Sequence, residues 1–223
     1  MPKHSNRILD VKALVTDEAL VKERRAQIVA GAVQLFSEKE YYQTTVQEVA
    51  KRVGVSTGLI YQYVRDKEDL LLLSILDVVD SYAKEIPAAL EGVEGSLERC
   101  CAAFRAYCRV VDARREATLL AYRSTKSLPP KRQQIIKDAE IETNELIGAC
   151  IRDCIDQGLF RSVDIDLATY QLVMYAHAWA LKYWHFVKRT DLETYISQGL
   201  DFFLHALLTD KGAKQWQRLS PDS

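Results

Sequence analysis

Apolar residues recur at helical rather than strand spacing along nearly the whole chain. Ile28, Gly31, Ala32, Leu35 and Phe36 make one stripe; Val46, Val49, Ala50 and Val53 fall at i, i+3, i+4 and i+7; Leu70, Leu71, Ile75, Val78, Val79 and Tyr82 make another. Each set occupies one face of a helix with 3.6 residues per turn. Only 5 Pro and 9 Gly interrupt 223 residues, and no strand pattern stands out. The spacing therefore predicts an all-α fold of long helices with short breaks.

Start and stop signals divide this pattern. Thr16 or Asp17 can cap a helix reaching Lys39, and Thr45 with Glu48 forms a T-x-x-E capping box for a second helix that ends at Gly54. Ser56 caps a short third helix and Asp66 a fourth, with Pro87 and "EGVEG" expected to break the chain. Helices of about 96–113, 114–126, 130–157, 165–187 and 191–209 fill the remainder, and the tail after Lys211 is expected to be loose.

Gly54, Ser56 and Gly58 stand in the order G-x-S-x-G, which in some hydrolases marks a nucleophilic serine. That chemistry needs an apolar strand leading into a strained turn. Here an amphipathic helix leads in, so Ser56 reads as a helix cap or a phosphate ligand. Two short helices separated by "GVS" make a helix-turn-helix, whose second helix enters the DNA major groove. Gly54 permits the tight exit, Val55 plugs the small core and Ser56 opens the recognition helix.

The stretch "AGAVQLFSEKEYYQTTVQEVAKRVGVSTGLIYQYVRDKEDLLLLSI" resembles the N-terminal domain of the TetR family of transcriptional regulators over residues ~24–75. Two departures stand out: Val64 where the family more often has Phe, and no Gly near "EKEYY", where many members have one. The resemblance implies a three-helix helix-turn-helix domain at 17–65, after an N-terminal extension at 1–16. A helical ligand-binding and dimerisation domain at 66–210 and a flexible tail at 211–223 would follow. It implies a double-stranded DNA operator as partner, contacted by a homodimer. Thr45, Tyr61, Tyr63 and Lys67 would face phosphates, while Ser56, Thr57, Gly58 and Gln62 would point towards bases or the groove edge. Thr44, beside Thr45 at the start of the second helix, joins this DNA-binding set. The chemistry agrees: a helix N-terminus and tyrosine hydroxyls suit phosphate, and a Gln amide suits adenine.

Beyond residue 75 the resemblance is architectural only. The segment 165–187 is apolar on more than one face, with Leu167, Tyr170, Met174, Ala178 and Leu181 on one side and Val173, His177, Ala180 and Trp184 beside it. Such a helix is buried on two sides. With Ile196, Leu200, Phe203 and Leu207 it is expected to give half of an intersubunit four-helix bundle. Phe104, Tyr107, Tyr122, Met174, His177 and Trp184 are candidates to line an effector pocket, although an ordinary core accounts for them as well.

Net charge is −1, yet Arg105 to Arg132 carries eight Lys and Arg against two acids. Within it Arg105, Arg109, Arg123, Lys126, Lys131 and Arg132 suit an anionic head at the pocket rim. An amphipathic anion such as an acyl-coenzyme A is the expected effector, lowering operator affinity; the alternative is a lipophilic-compound regulator of an efflux system. Cys150 with Cys154, and His177 with His185, leave a metal or redox sensor as a further reading, but no C-x-x-C or H-E-x-x-H is present. No phosphate loop, dinucleotide fingerprint or acid/base cluster supports an enzyme, and no catalytic residue, metal or cofactor is expected. The start of the chain does not read as a signal peptide, no apolar run approaches the ~18 residues of a membrane span, and five cysteines do not form an even framework. A cytoplasmic protein without a membrane partner is expected.

Overall fold

The computed structural model describes Val11 and residues 13–219. Eleven α-helices follow in order among them: α1 (Glu18–Lys39), α2 (Val46–Val53), α3 (Thr57–Ile60), α4 (Lys67–Ala89), α5 (Ser96–Ala113), α6 (Arg115–Ser124), α7 (Pro130–Asp156), α8 (Ile165–Leu181), α9 (Tyr183–Phe186), α10 (Leu192–Leu207) and α11 (Asp210–Leu219). An isolated antiparallel bridge between Phe160 and Leu208 is the extent of β-structure among the described residues. The all-α expectation holds.

The chain forms two compact units. The first takes residues up to Asp80 together with Arg114–Ala139; the second takes Ser81–Ala113 and residues from Glu140 onward. This corrects the expected boundary at residue 65. Leu70, Leu71, Leu120, Leu128 and Ile136 share one apolar core with Ile28, Leu35, Val49 and Ile60, so the helix-turn-helix has no separate core to end on.

In the first unit, Asp17 caps α1 by accepting from the Leu20 N–H. Gly31 lets α2 come close, since a Cβ there would lie 2.3 Å from Val53 Cγ1. The capping box on α2 forms in both directions: Thr45 Oγ1 accepts from Glu48 N–H, and Glu48 accepts from Thr45 N–H at 2.9 Å. Gly54 then adopts φ 73°, the left-handed conformation that ends a helix with least cost at glycine.

A buried carboxylate ties this unit together. Asp69 is fully buried, and it accepts from the backbone N–H and guanidinium of Arg65 and from Arg132 of α7. Arg132 also reaches Glu68 at 3.0 Å and Asp66 at 3.3 Å. Asp66 in turn caps α4, accepting from Asp69 N–H at 2.7 Å.

The second unit packs α5 against α8 and α10. Tyr175 and Tyr195 stack and each donates its hydroxyl to the other's carbonyl, at 2.8 and 2.7 Å. Three expectations are corrected here. Pro87 lies inside α4: it lacks an N–H for the helical ladder, and the helix continues for just two more residues, to Ala89. The 165–187 helix breaks at Lys182, whose φ of −121° leaves the helical region. The tail is helical as far as Leu219: Thr209 caps it by accepting from Gly212 N–H, and Lys211 binds the Gln157 carbonyl at 2.7 Å.

Glu40 ends α1 at φ 66°, ψ 154°, a region that essentially only glycine occupies at low cost. The missing glycine at "EKEYY" thus leaves local strain. Glu40→Gly is expected to stabilise the protein by about 1 kcal/mol, read as a higher urea midpoint at unchanged slope; an equal or lower midpoint would show that Glu40 carries no strain.

Candidate nucleic-acid interface and effector region

The turn of α2 into α3 presents a short exposed surface. Val55 donates its N–H to Ala50 at 3.0 Å and sits half-buried against the core. Ser56 Oγ accepts from Leu59 N–H at 3.1 Å, so its hydroxyl caps α3 as read from the sequence. Ser56, Gly58, Tyr61 and Gln62 are exposed and Thr57 is half-exposed. Among the described residues nothing needs glycine at 58: a Cβ there would meet one atom within 4 Å, Ser56 Oγ at 4.0 Å. The backbone beyond it is anchored, because Gln62 accepts from Leu14 N–H at 2.7 Å and buried Arg25 holds the Tyr63 carbonyl at 3.0 Å.

Four other residues of the expected set sit differently. Tyr63 is 3% exposed and belongs to the core, which corrects its phosphate-facing assignment: two residues after Tyr61 on a helical turn, it points to the opposite side. Thr44 is 1% exposed and donates its hydroxyl to the Leu35 and Glu40 carbonyls, so it serves the α1–α2 connection. Lys67 gives its ammonium to the carbonyls of Tyr41, Thr44 and Tyr42 at 2.7, 2.9 and 3.3 Å and lies over the Tyr41 ring. That cation clamps the loop before α2 instead of standing free for phosphate, and burial lowers its pKa. Thr45 is exposed, but its hydroxyl and N–H both engage Glu48, whose carboxyl is held down at about 2, mainly by its hydrogen bond from Lys39.

The expected effector residues split between the units. Tyr122 and Arg123 are exposed on α6 in the first; the other seven lie in the second. Phe104 and Tyr107 are buried, and they pack instead of lining a void: Phe104 meets Tyr175 and Phe203, and Tyr107 stacks on Tyr82 with centroids 4.2 Å apart. Met174 and Trp184 are exposed. Two of the six residues of the expected basic rim are engaged elsewhere. Arg109 pairs with Glu193 through two 3.0 Å bonds, Arg132 binds the Asp69 cluster, and Arg105 is half-exposed.

What the second unit does contain is a buried polar chain. His177 Nε2 lies 3.3 Å from Tyr82 Oη and 3.2 Å from Tyr107 Oη, and Tyr107 reaches Asn144 Oδ1 at 3.5 Å. Asn144 also lines an open cleft of about 240 Å³ between α7 and α8, together with Thr169, Glu145 and Arg152. No expected effector residue lines it. All five cysteines are free and buried, with burial pushing Cys101 up to about 12. No group of three metal-capable side chains occurs among the described residues, nor is any described helix long and apolar enough to cross a membrane.

Comparison with known proteins agrees with this geometry. Residues 28–73 match the family model described as bacterial regulatory proteins, tetR family, and residues 94–183 match the tetracyclin repressor-like C-terminal domain. The HTH-type transcriptional regulator HbdR of Aromatoleum sp. (strain CIB) is 52% identical over 202 residues, covering 91% of this chain and 88% of its own. The chain belongs to the TetR family: it is a DNA-binding transcriptional regulator and not an enzyme. Among solved structures, a tetR-family regulatory protein from Rhodococcus RHA1 superposes with a TM-score of 0.75 at 23% identity, over 83% of this chain and 98% of that one. AibR, solved in complex with isovaleryl coenzyme A and operator DNA, gives 0.69 at 17% identity, over 80% and 97%. At those identities the likeness shows a shared fold.

Burial holds the pKa of His177 down at about 4, so the folded state keeps the imidazole neutral. An unfolded imidazole takes its proton near ~6.5. The native contribution is therefore complete above ~6.5 and is lost as pH falls from there to about 4, by up to roughly 3 kcal/mol. Chemical unfolding at pH 7.5 and 4.5 should show the native chain losing about 2–3 kcal/mol more than His177→Gln over that interval; equal losses would place the acid sensitivity elsewhere.

Proposed function

We propose that this regulator binds a palindromic operator as a homodimer, through the exposed surface of Thr57, Gly58, Tyr61 and Gln62, and that an acyl-coenzyme A ester lowers its operator affinity, as in a repressor. Gly58 carries the DNA reading. An exposed glycine that internal packing does not require leaves room for an outside surface to approach the α3 backbone closely, as a groove edge would. Gln62 stands beside it with an amide suited to adenine, and Tyr61 with a hydroxyl suited to phosphate. Lys67 and Arg25 act indirectly, by holding the loops and backbone that present these groups.

The dimer reading rests on exposed apolar side chains in the second unit: Phe202 is 69% exposed on α10, and Leu167 and Met174 are 60% and 45% exposed on α8. Leu167 and Met174 belong to the α8 face expected from the sequence; on α10, Phe202 takes the place of the expected residues, since Ile196, Leu200 and Leu207 are buried within the subunit and Phe203 is half-buried. Burying such a strip against a second copy favours association by ~25 cal/mol per Å². The acyl-coenzyme A reading is supported by AibR, which shares this fold and was solved in complex with isovaleryl coenzyme A and operator DNA. An uncharged lipophilic effector is the second reading, favoured by the engagement of Arg109 and Arg132 with internal carboxylates.

A palindromic site selected from randomised DNA serves as the test. Gln62→Ala should cost ~1–3 kcal/mol on that site and little on random DNA, while Tyr61→Phe weakens both. Phe202→Asp should give monomers by light scattering. Isovaleryl coenzyme A, but neither its free acid nor neutral lipophilic compounds, should release the DNA. Equal losses on all DNA for both substitutions, a dimeric Phe202→Asp, or release by uncharged compounds alone would each overturn the corresponding part.

A further inference from the structure

The cleft between α7 and α8 combines features that internal packing does not explain. At its floor lie Asn144 and Thr169, each 4% exposed. Asn144 Nδ2 and Thr169 Oγ1 are both buried without a hydrogen-bond partner among the described residues. Buried donors are nearly always satisfied, and a pair left open at one site calls for an explanation. The Asn144 oxygen lies 3.5 Å from the Tyr107 hydroxyl, and its NH2 group is the end left without a partner among the described residues.

Glycine keeps the space open. A Cβ on Gly148 would lie 3.3 Å from Thr169 Oγ1, 3.4 Å from Glu145 Oε2 and 3.7 Å from Ile165 Cγ2, so any side chain at 148 would project among the residues lining the cleft. Ile165 and Ile141 supply apolar wall. The remaining volume of about 240 Å³ exceeds the ~150 Å³ of an engineered cavity that holds benzene. At the mouth, Arg152 is already bonded to Glu145 at 2.9 Å, and Asp166 adds a second acid. One cation against two carboxylates does not favour an anion.

We propose that this cleft binds a small uncharged carboxamide, whose carbonyl oxygen accepts from Asn144 Nδ2 and whose N–H donates to Thr169 Oγ1, with its apolar body between Ile141 and Ile165. The site goes beyond the acyl-coenzyme A reading and does not depend on it, since an anionic thioester is the wrong charge for this mouth. A site built around unpaired hydrogen-bonding groups rejects analogues that lack the matching group far more strongly than an apolar pocket rejects a change of size.

Benzamide is the probe, tested on the full-length protein without DNA, by calorimetry and by the Asn side-chain amide resonances in NMR. Benzamide should bind saturably and shift one Asn NH2 pair, with benzoate and toluene at least roughly tenfold weaker. Thr169→Val keeps the shape and removes the unpaired hydroxyl, so it should raise the melting temperature while weakening benzamide roughly tenfold. Gly148→Leu should abolish binding from the opposite wall. Absence of saturable benzamide binding, equal binding of toluene, or unchanged affinity in Thr169→Val would overturn the proposal and leave the cleft a water-filled groove. Any of these results leaves the operator and acyl-coenzyme A readings standing, because no DNA or thioester enters the measurement.

Discussion

The Asp69 carboxylate is the constraint on which the DNA-binding unit depends. It is fully buried and it satisfies two guanidinium groups as well as a backbone N–H. Arg65 comes from the segment leaving the recognition helix, Asp69 from the first turn of α4, and Arg132 from the first turn of α7. A charge out of water is tolerated only when such partners surround it, and removing one partner leaves an uncompensated buried ion. The three segments are therefore held in one arrangement by a group that has no cheap alternative geometry. Packing alone, through interchangeable apolar contacts around Ile60 and Leu70, would allow the recognition helix more latitude.

The same logic runs outward to the presented surface. Arg25 and Lys67 spend their donors on main-chain carbonyls on either side of the helix-turn-helix, at Tyr63 and at Tyr41–Thr44. These cations orient backbone, and the uncharged residues Tyr61 and Gln62, exposed, and Thr57, half-exposed, lie at the surface between them. Cationic side chains near a DNA-binding motif are easily taken for phosphate ligands. Here geometry makes both Arg25 and Lys67 supports of the main chain.

The helix-turn-helix was legible because its signals are local. Gly54, Val55 and Ser56 each act within four residues, and the Thr45–Glu48 box caps the helix it begins. Tyr63 was misread since alternate positions on so short a helix switch sides, and a family pattern does not say where the core lies. Arg132 was misread for a different reason: its acidic partners stand more than 60 residues upstream, and no spacing rule reports that pairing. The aromatic residues Phe104 and Tyr107 looked equally suited to a pocket or a core, and only the ring contacts decide for the core. The α7–α8 cleft has no sequence signal, because an unpaired Asn144 amide becomes notable only once its surroundings are known. The end of the chain was underestimated since Thr209 and Lys211 hold α11 through carbonyls some 50 residues away.

A double-mutant cycle between Asp69 and Arg132 tests the central constraint most directly. Asp69→Asn, Arg132→Met and the double variant would be compared with the native chain by urea unfolding. If the buried carboxylate organises the unit, each single change destabilises strongly, and the double variant is more stable than the sum of the two losses implies, with a coupling of roughly 1.5–3 kcal/mol. Additivity within about 0.5 kcal/mol would mean that the pair is incidental and that apolar packing alone positions the recognition helix.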